Sequence, residues 1–178
     1  MRSETHPTRA SPWLNLLLAL VAALPGALSA HTPPATVLSI GDGDTIRVRQ
    51  AGETFTVRLA CIDAPELAQS PWGLQARRYL RQRLPIGRQV HLKVKTTDRY
   101  GRTVAEVIGD INLGLALVED GQAFAYRKHL SSCDAKAYLD AEFRASRHRF
   151  GVWQVEGGLT RPWAFRRARP ANPPLQAD

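Results

Sequence analysis

Several features that define large protein classes are absent from this sequence. After residue 24 no apolar run is long enough to span a bilayer, which excludes a protein with several membrane-spanning helices. No repeat or low-complexity block occurs, which argues against a solenoid or a long disordered chain. His91, His129 and His148 lack ligand spacing with one another, so we expect solvated side chains rather than a zinc site.

Cysteine is scarce, because the 178 residues include two, Cys61 and Cys133. An even number in an oxidising compartment favours a disulfide. A bridge that closes a loop of this length would stabilise the fold by roughly 4 kcal/mol in the chain-entropy treatment. Two buried free thiols are the alternative, and the cellular compartment decides between them.

The N-terminus has the three parts of a secretory signal. Arg2 and Arg9 precede an apolar run from Trp13 to Leu24, and small residues follow at 27–30. The pattern predicts that residues 1–30 are a cleaved signal peptide and that the protein is secreted or periplasmic. An uncleaved anchor is the alternative, although the apolar run is short for a membrane span.

Length, hydrophobic content and charge describe one basic domain. The 178 residues are 44% hydrophobic, enough for a single core. Lys and Arg exceed Asp and Glu by 24 to 16, which gives a net charge of +8. This charge suits a polyanionic partner such as nucleic acid, although many exported proteins are simply basic.

Alternation of apolar and polar residues predicts a mainly β domain over residues 31–155. Short strands are predicted at 36–40, 45–49, 54–59, 90–95 and 102–107, and helices at 74–84, 112–120 and 134–148. This α+β pattern fits a five-stranded barrel of the OB type, a fold that often binds oligonucleotides.

Residues 156–178 are rich in Arg and Pro and are interpreted as an extended C-terminal tail. We expect Trp163 and Phe165 to pack on the barrel and the arginines of the tail to be solvated. The alternative is that its aromatic and cationic side chains stack on single strands.

Three short clusters contain side chains suited to phosphate chemistry: residues 42–45, 58–66 and 98–102. Taken singly, they could be a turn, a salt-bridged corner and a charged hairpin. Taken together, they supply two acids for a hard divalent cation, Asp44 and Asp63. Arg58 and Arg102 are planar donors that match phosphate oxygens, and Glu66 is a carboxylate left to act as a base. A cation, two arginines and a base are what hydrolysis of a phosphodiester requires.

The same clusters resemble the thermonuclease (staphylococcal or micrococcal nuclease) family. Its motifs are a DGDT turn, an R-x-x-x-x-D-x-P-E segment and a D-[KR]-Y-G-R hairpin, and all three occur here in that order. The similarity continues through residues 121–126 to 151–153. It implies an OB-fold barrel with three helices and a calcium-dependent endonuclease that cleaves DNA and RNA to leave 3′-phosphates.

The resemblance also implies a role for each matching position. Calcium would be bound by the carboxylates of Asp44 and Asp63 and by the carbonyl of Ala64. Glu66 would hold the attacking water, and Arg58 and Arg102 would clamp the scissile phosphate. Substrate contacts would come from Arg99 and Tyr100 to a terminal phosphate and from Tyr126 to a sugar or base.

Two other functions compete with this hypothesis. A binding module would keep the barrel and grip nucleic acid without cutting it, but such domains lose the acids or arginines that are present here. A structural protein of the cell envelope would lack a calcium site. Nothing in the chain indicates a stable protein partner or an oligomer, so a monomer that acts on single-stranded or frayed DNA and RNA is expected.

The disulfide can be tested directly. We expect a thiol assay on unfolded, unreduced protein to find no free thiol, because Cys61 and Cys133 are bonded to each other. Reduction before the assay is the control and should release two thiols. Two thiols without reduction would contradict the prediction.

Overall fold

The structure is a computed structural model that describes residues 32–168. The predicted signal peptide, residues 1–30, and the end of the predicted tail, residues 169–178, lie outside the described residues. No helix among the described residues is long and apolar enough to cross a membrane. The elements are β1 (Ala35–Ile40), β2 (Thr45–Gln50), β3 (Glu53–Leu59), β4 (Ile62–Asp63), α1 (Trp72–Arg83), β5 (Gln89–Thr97), β6 (Thr103–Ile108), α2 (Leu113–Glu119), β7 (Phe124–Ala125), α3 (Ala135–Arg147) and α4 (Pro162–Ala168), with 3-10 turns at Arg127–Ser132 and Gly151–Gln154.

Five strands close into a barrel in the order β1-β2-β3-β6-β5, and β5 pairs back onto β1. Every neighbouring pair in the barrel is antiparallel except β3 and β6, which are parallel. Strand β2 shows why the sequence folds this way, since Ile46 and Val48 are buried while Arg47 and Arg49 are exposed. The predicted α+β class and the five-stranded OB-type barrel are confirmed.

The helices cover the barrel with small and apolar faces. Asn112 caps α2 by accepting hydrogen bonds from the Gly114 and Leu115 amides, and Asp134 caps α3 through the Ala137 amide. One continuous core results, and it includes Val37, Ile46, Val48, Val57, Leu59, Ile62, Leu80, Leu84, Val90, Leu117 and Tyr138.

A second, two-stranded sheet was not predicted. Strand β4 pairs antiparallel with β7, so that Asp63 lies opposite Phe124. Each strand has two residues, too few for any periodic pattern to be recognised. The pairing holds Asp63 against the body of the domain.

The interpretation of residues 156–178 as an extended tail is wrong for residues 162–168, which form helix α4. Trp163 packs as expected, with its ring 6.3 Å from that of Phe124, and Phe165 is half-buried. The expectation of solvated arginines is wrong at two positions. The Arg161 guanidinium lies 4.2 Å from the centre of the Phe124 ring, and Arg166 forms ion pairs with acids near β4.

The two cysteines are joined in a disulfide. Cys61 lies in the turn between β3 and β4, and Cys133 follows the 3-10 turn at Arg127–Ser132. The Tyr126 amide also donates a hydrogen bond of 2.8 Å to the Cys61 carbonyl. The segment after β7 is therefore attached to the β3–β4 turn both covalently and through the backbone.

Glu142 of α3 provides a test of how β7 is held. Its buried carboxylate accepts the Ala125 amide at 3.1 Å and pairs with Arg127 at 2.5 Å. We expect Glu142→Ala to lower the free energy of unfolding by about 1–3 kcal/mol, because a buried amide loses its acceptor. Denaturant unfolding at neutral pH measures this.

The control is Asp140→Ala on the same helix, which removes an exposed pair with Lys136. Exposed ion pairs contribute little to stability, so we expect the free energy of unfolding to change by no more than about 0.5 kcal/mol. Equal losses in the two variants would contradict a special role for Glu142.

Candidate active site

The turn before β2 brings the first acid to the site. The Asp42 carboxylate accepts the Asp44 amide at 3.0 Å, and the Asp44 carbonyl accepts the Leu59 amide at 2.8 Å. Gly43 lies so close to α1 that a Cβ there would come within 2.7 Å of the Ala76 Cβ. The turn is thus fixed between β3 and helix α1.

Arg58 joins two buried carboxylates. It lies opposite Thr45 in the β2–β3 pairing, so its side chain is next to Asp44. One terminal nitrogen donates to Asp44 Oδ1 at 2.6 Å, and the other donates to Asp63 Oδ1. Asp44 is 3% exposed and Asp63 is fully buried. The second oxygen of Asp44 accepts the Ala64 amide at 2.7 Å.

The charges in this cluster are not balanced. Burial raises the pKa of Asp44 to about 7; the charges of Asp42 and Asp63 add to the rise, while Arg58 opposes it. Burial lowers the pKa of Arg58, but its two acidic partners outweigh this and raise it above the usual value. The buried carboxylates therefore favour positive charges beside them.

The donor chemistry fits a hard cation. In the described residues, no group of three or more His, Cys, Asp or Glu side chains is arranged to hold a metal ion by itself. The oxygens of Asp44 and Asp63 are the candidate donors, and each of them accepts a hydrogen bond in this structure from Arg58, Arg166 or the Ala64 amide. Calcium takes six to eight oxygens and accepts carbonyls and water among them, so two carboxylates with such oxygens are compatible with it.

Glu66 lies on the loop after β4, with its side chain 35% exposed. The Gln69 side chain accepts the Glu66 amide at 3.0 Å, and the Glu66 carbonyl accepts the Gln69 amide at 2.8 Å. Its carboxylate accepts a hydrogen bond of 2.5 Å from Arg166. A Cβ added at Gly73 in α1 would lie 2.1 Å from the Glu66 carbonyl oxygen, so only glycine permits this packing.

The β5–β6 hairpin carries the third motif. Arg102 pairs with Asp98 at 2.7 Å, and the guanidinium groups of Arg99 and Arg102 lie 4.9 and 5.5 Å from the centre of the exposed Tyr100 ring. Desolvation would raise the pKa of Asp98, but hydrogen bonds from Arg102 and Tyr100 outweigh it and lower that pKa. The hairpin thus has a fixed base and an exposed aromatic and cationic tip.

A single cleft brings the three motifs together. Its lining includes every predicted side chain of the site except Asp63, namely Asp44, Arg58, Glu66, Arg99, Tyr100, Arg102 and Tyr126, together with Ala64. Asp63 lies beneath it, bonded to Arg58. The lining also includes Arg127, Lys128 and His129, which makes the cleft strongly basic around an acidic centre.

Helix α4 supplies residues of the cleft that the sequence did not assign to the site. Arg166 pairs with both oxygens of Asp63, at 3.1 and 2.7 Å, and with Glu66. Trp163 stacks on Tyr126, with ring centres 5.0 Å apart and planes 10° apart. The mixture of aromatic and cationic residues in the tail was the sequence signal for a functional role. It did not indicate which residues of the domain these side chains contact.

Comparison with known sequences gives consistent matches. A family model described as "Staphylococcal nuclease homologue" matches residues 56–155. A micrococcal nuclease of Shigella flexneri is 38% identical over 142 residues, which cover 74% of this chain and 79% of the relative. An uncharacterized endonuclease of Haemophilus influenzae is 32% identical over 157 residues, covering 87% of this chain and 85% of the relative.

The packing of α1 against the Glu66 loop, which positions Glu66 in the site, can be tested. We expect Gly73→Ala to lower the free energy of unfolding by about 1–3 kcal/mol, since the new methyl group would collide with backbone rather than with a flexible side chain. Gly109→Ala is the control, because its Cβ would meet Leu113 at an ordinary 3.5 Å. Thermal unfolding of both variants checks this, and an unchanged Gly73→Ala protein would refute the packing argument.

Proposed function

The chain belongs to the staphylococcal nuclease family, and from this membership we propose that it is an exported, calcium-dependent endonuclease of DNA and RNA. Relatives named as nucleases support hydrolysis of phosphodiester bonds in nucleic acid. The ion, the range of substrates, the 3′-phosphate product and the export are parts of the proposal. Export rests on the signal-like sequence of residues 1–30.

One observation carries the proposal: the buried pair Asp44 and Asp63 shares the Arg58 guanidinium at the floor of a basic cleft. Burial of two carboxylates is costly for a structural corner unless positive charges compensate for it. The buried pair of carboxylates with Arg58 suits a site that also binds a cation and a phosphate. The raised pKa of Asp44 agrees with this.

In the proposed site, Asp44, Asp63 and the Ala64 carbonyl would hold Ca²⁺. The bound ion would supply Lewis-acid stabilisation of phosphate charge. Arg58 bonds to both carboxylates and so holds them on the same side of the site. The oxygen-only donor set favours calcium over zinc, which prefers nitrogen and sulfur ligands.

Glu66 is the proposed base. Its half-exposed carboxylate can receive a proton from a water molecule as the water oxygen attacks phosphorus. The bond from phosphorus to the 5′ oxygen breaks, the 5′ oxygen takes a proton from solvent, and a 3′-phosphate remains. Arg58 and Arg102 donate to the equatorial oxygens, where negative charge accumulates during the attack. For this role Arg102 must exchange part of its pairing with Asp98 for phosphate.

Substrate contacts follow the walls of the cleft. Arg99 and Tyr100, exposed at the hairpin tip, are proposed to contact a terminal phosphate, and Tyr126 a sugar or base. A ring that packs on a base needs that base unstacked, so single-stranded or frayed regions are the preferred substrate. The protein is proposed to act as a monomer without a stable protein partner.

The role of Glu66 and the calcium requirement are tested together. We expect cleavage of denatured DNA in calcium, none with excess chelator, and a loss of roughly 10²–10⁴-fold in kcat for Glu66→Gln, the usual contribution of a general base. Binding of a short oligonucleotide should persist in that variant. Glu53→Gln, a change of an exposed acid in β3, is the control and should leave kcat unchanged.

Two outcomes would reject the proposal. Cleavage that persists with chelator would exclude the calcium requirement. Tight oligonucleotide binding without cleavage by the folded protein in any divalent ion would indicate a binding module instead.

A further inference from the structure

Helix α4 is held over the candidate site by contacts at its N-terminal end. The buried Gln69 side chain donates a hydrogen bond of 2.8 Å to the Thr160 carbonyl. The Arg161 guanidinium packs on two rings, 4.2 Å from the centre of Phe124 and 4.7 Å from that of Trp153. Pro162 is buried. These contacts fix where the helix begins and therefore where its side chains reach.

The rest of the helix occupies two places in the cleft that the proposed reaction needs. Arg166 donates to both oxygens of Asp63 and to Glu66, which are a proposed calcium ligand and the proposed base. Trp163 covers one face of Tyr126, the proposed partner of a sugar or base. Side chains of this one seven-residue helix thus occupy the positions where the metal ion, the attacking water and the nucleotide would bind.

Charge explains why this contact is favourable in the absence of a divalent ion. Asp44 and Asp63 share the guanidinium of Arg58, and Asp42 lies beside Asp44. Arg166 adds a second positive charge, which pairs with Asp63 and Glu66. The Asp63 oxygens that Arg166 occupies are those a divalent cation would need. A cation at ligand distance from Asp63 would also lie within a few ångströms of the guanidinium, so the two repel each other.

We propose that α4 is an internal competitor for the cation, with Arg166 bound to Asp63 and Glu66 until Ca²⁺ displaces it. This inference rests on the calcium site of the proposed function. Binding of the cation then requires Arg166, in the carboxyl-terminal part of α4, to leave Asp63 and Glu66. The apparent calcium affinity equals the intrinsic affinity multiplied by the fraction of molecules in which Arg166 is displaced.

The test is a calorimetric titration of the full chain with CaCl₂ in the absence of nucleic acid. We expect Arg166→Gln to bind calcium on the order of 5- to 50-fold more tightly than the unaltered protein, a usual range for coupling between two sites. Arg167→Gln is the matched control, because it makes the same change in net charge on the adjacent residue, which has no ion pair among the described residues. It should change the affinity by less than about twofold.

A second variant tests the packing of α4 in the cleft without a change of charge. Trp163→Ala removes the stack on Tyr126 and loosens α4, so it should also tighten calcium binding, while thermal unfolding in chelator confirms that each variant is folded. An Arg166→Gln affinity equal to or weaker than that of the unaltered protein, where that protein does bind calcium, would overturn the competitor and leave the proposed function intact. No calcium binding by any of the proteins would overturn the calcium site and the competitor together.

Discussion

The structure depends on the bridge that Arg58 makes between Asp44 and Asp63. The two carboxylates come from a turn and from a two-residue strand, and both are removed from water. Without the guanidinium between them they would repel each other in a medium of low dielectric constant, and breaking such a buried arrangement typically costs about 3–5 kcal/mol. The same guanidinium is proposed to contact phosphate, so both the stability of the fold and the proposed catalysis depend on Arg58. Selection for either would constrain this position.

The topology of the barrel brings the three motifs to a common cleft. Antiparallel pairing of β2 and β3 sets Thr45 opposite Arg58, so the first two motifs meet at one end of the barrel. The parallel pairing of β3 and β6 sets Thr103 opposite Val57, which brings the start of β6 and the preceding hairpin alongside the middle of β3. If β6 ran antiparallel to β3, its other end would lie there. The one parallel pair of the barrel is therefore what allows a motif 40 residues further along to reach the same cleft as Arg58.

Much of this arrangement could be predicted from sequence, and the exceptions have a common cause. Strands such as β2 can be predicted because the alternation of apolar and polar residues is a local property of the sequence. The three motifs can be recognised because the residues of each lie close together in the chain. Strands β4 and β7 pair across about 60 residues with two residues each, so nothing local marks them. Pro162 at the first position of α4 is a known signal of a helix start, but the surrounding Arg and Pro favoured an extended interpretation. The pairing of Arg166 with Asp63 spans 103 residues, and tertiary packing alone determines it.

The disulfide has a consequence for covalent topology. Cys61 and Cys133 are separated by 72 residues, and the loop they close contains Asp63, Glu66, the β5–β6 hairpin and Tyr126. A single proteolytic cut anywhere within that loop would leave two fragments still joined through sulfur. Such a nicked molecule retains every residue of the cleft on one covalent framework.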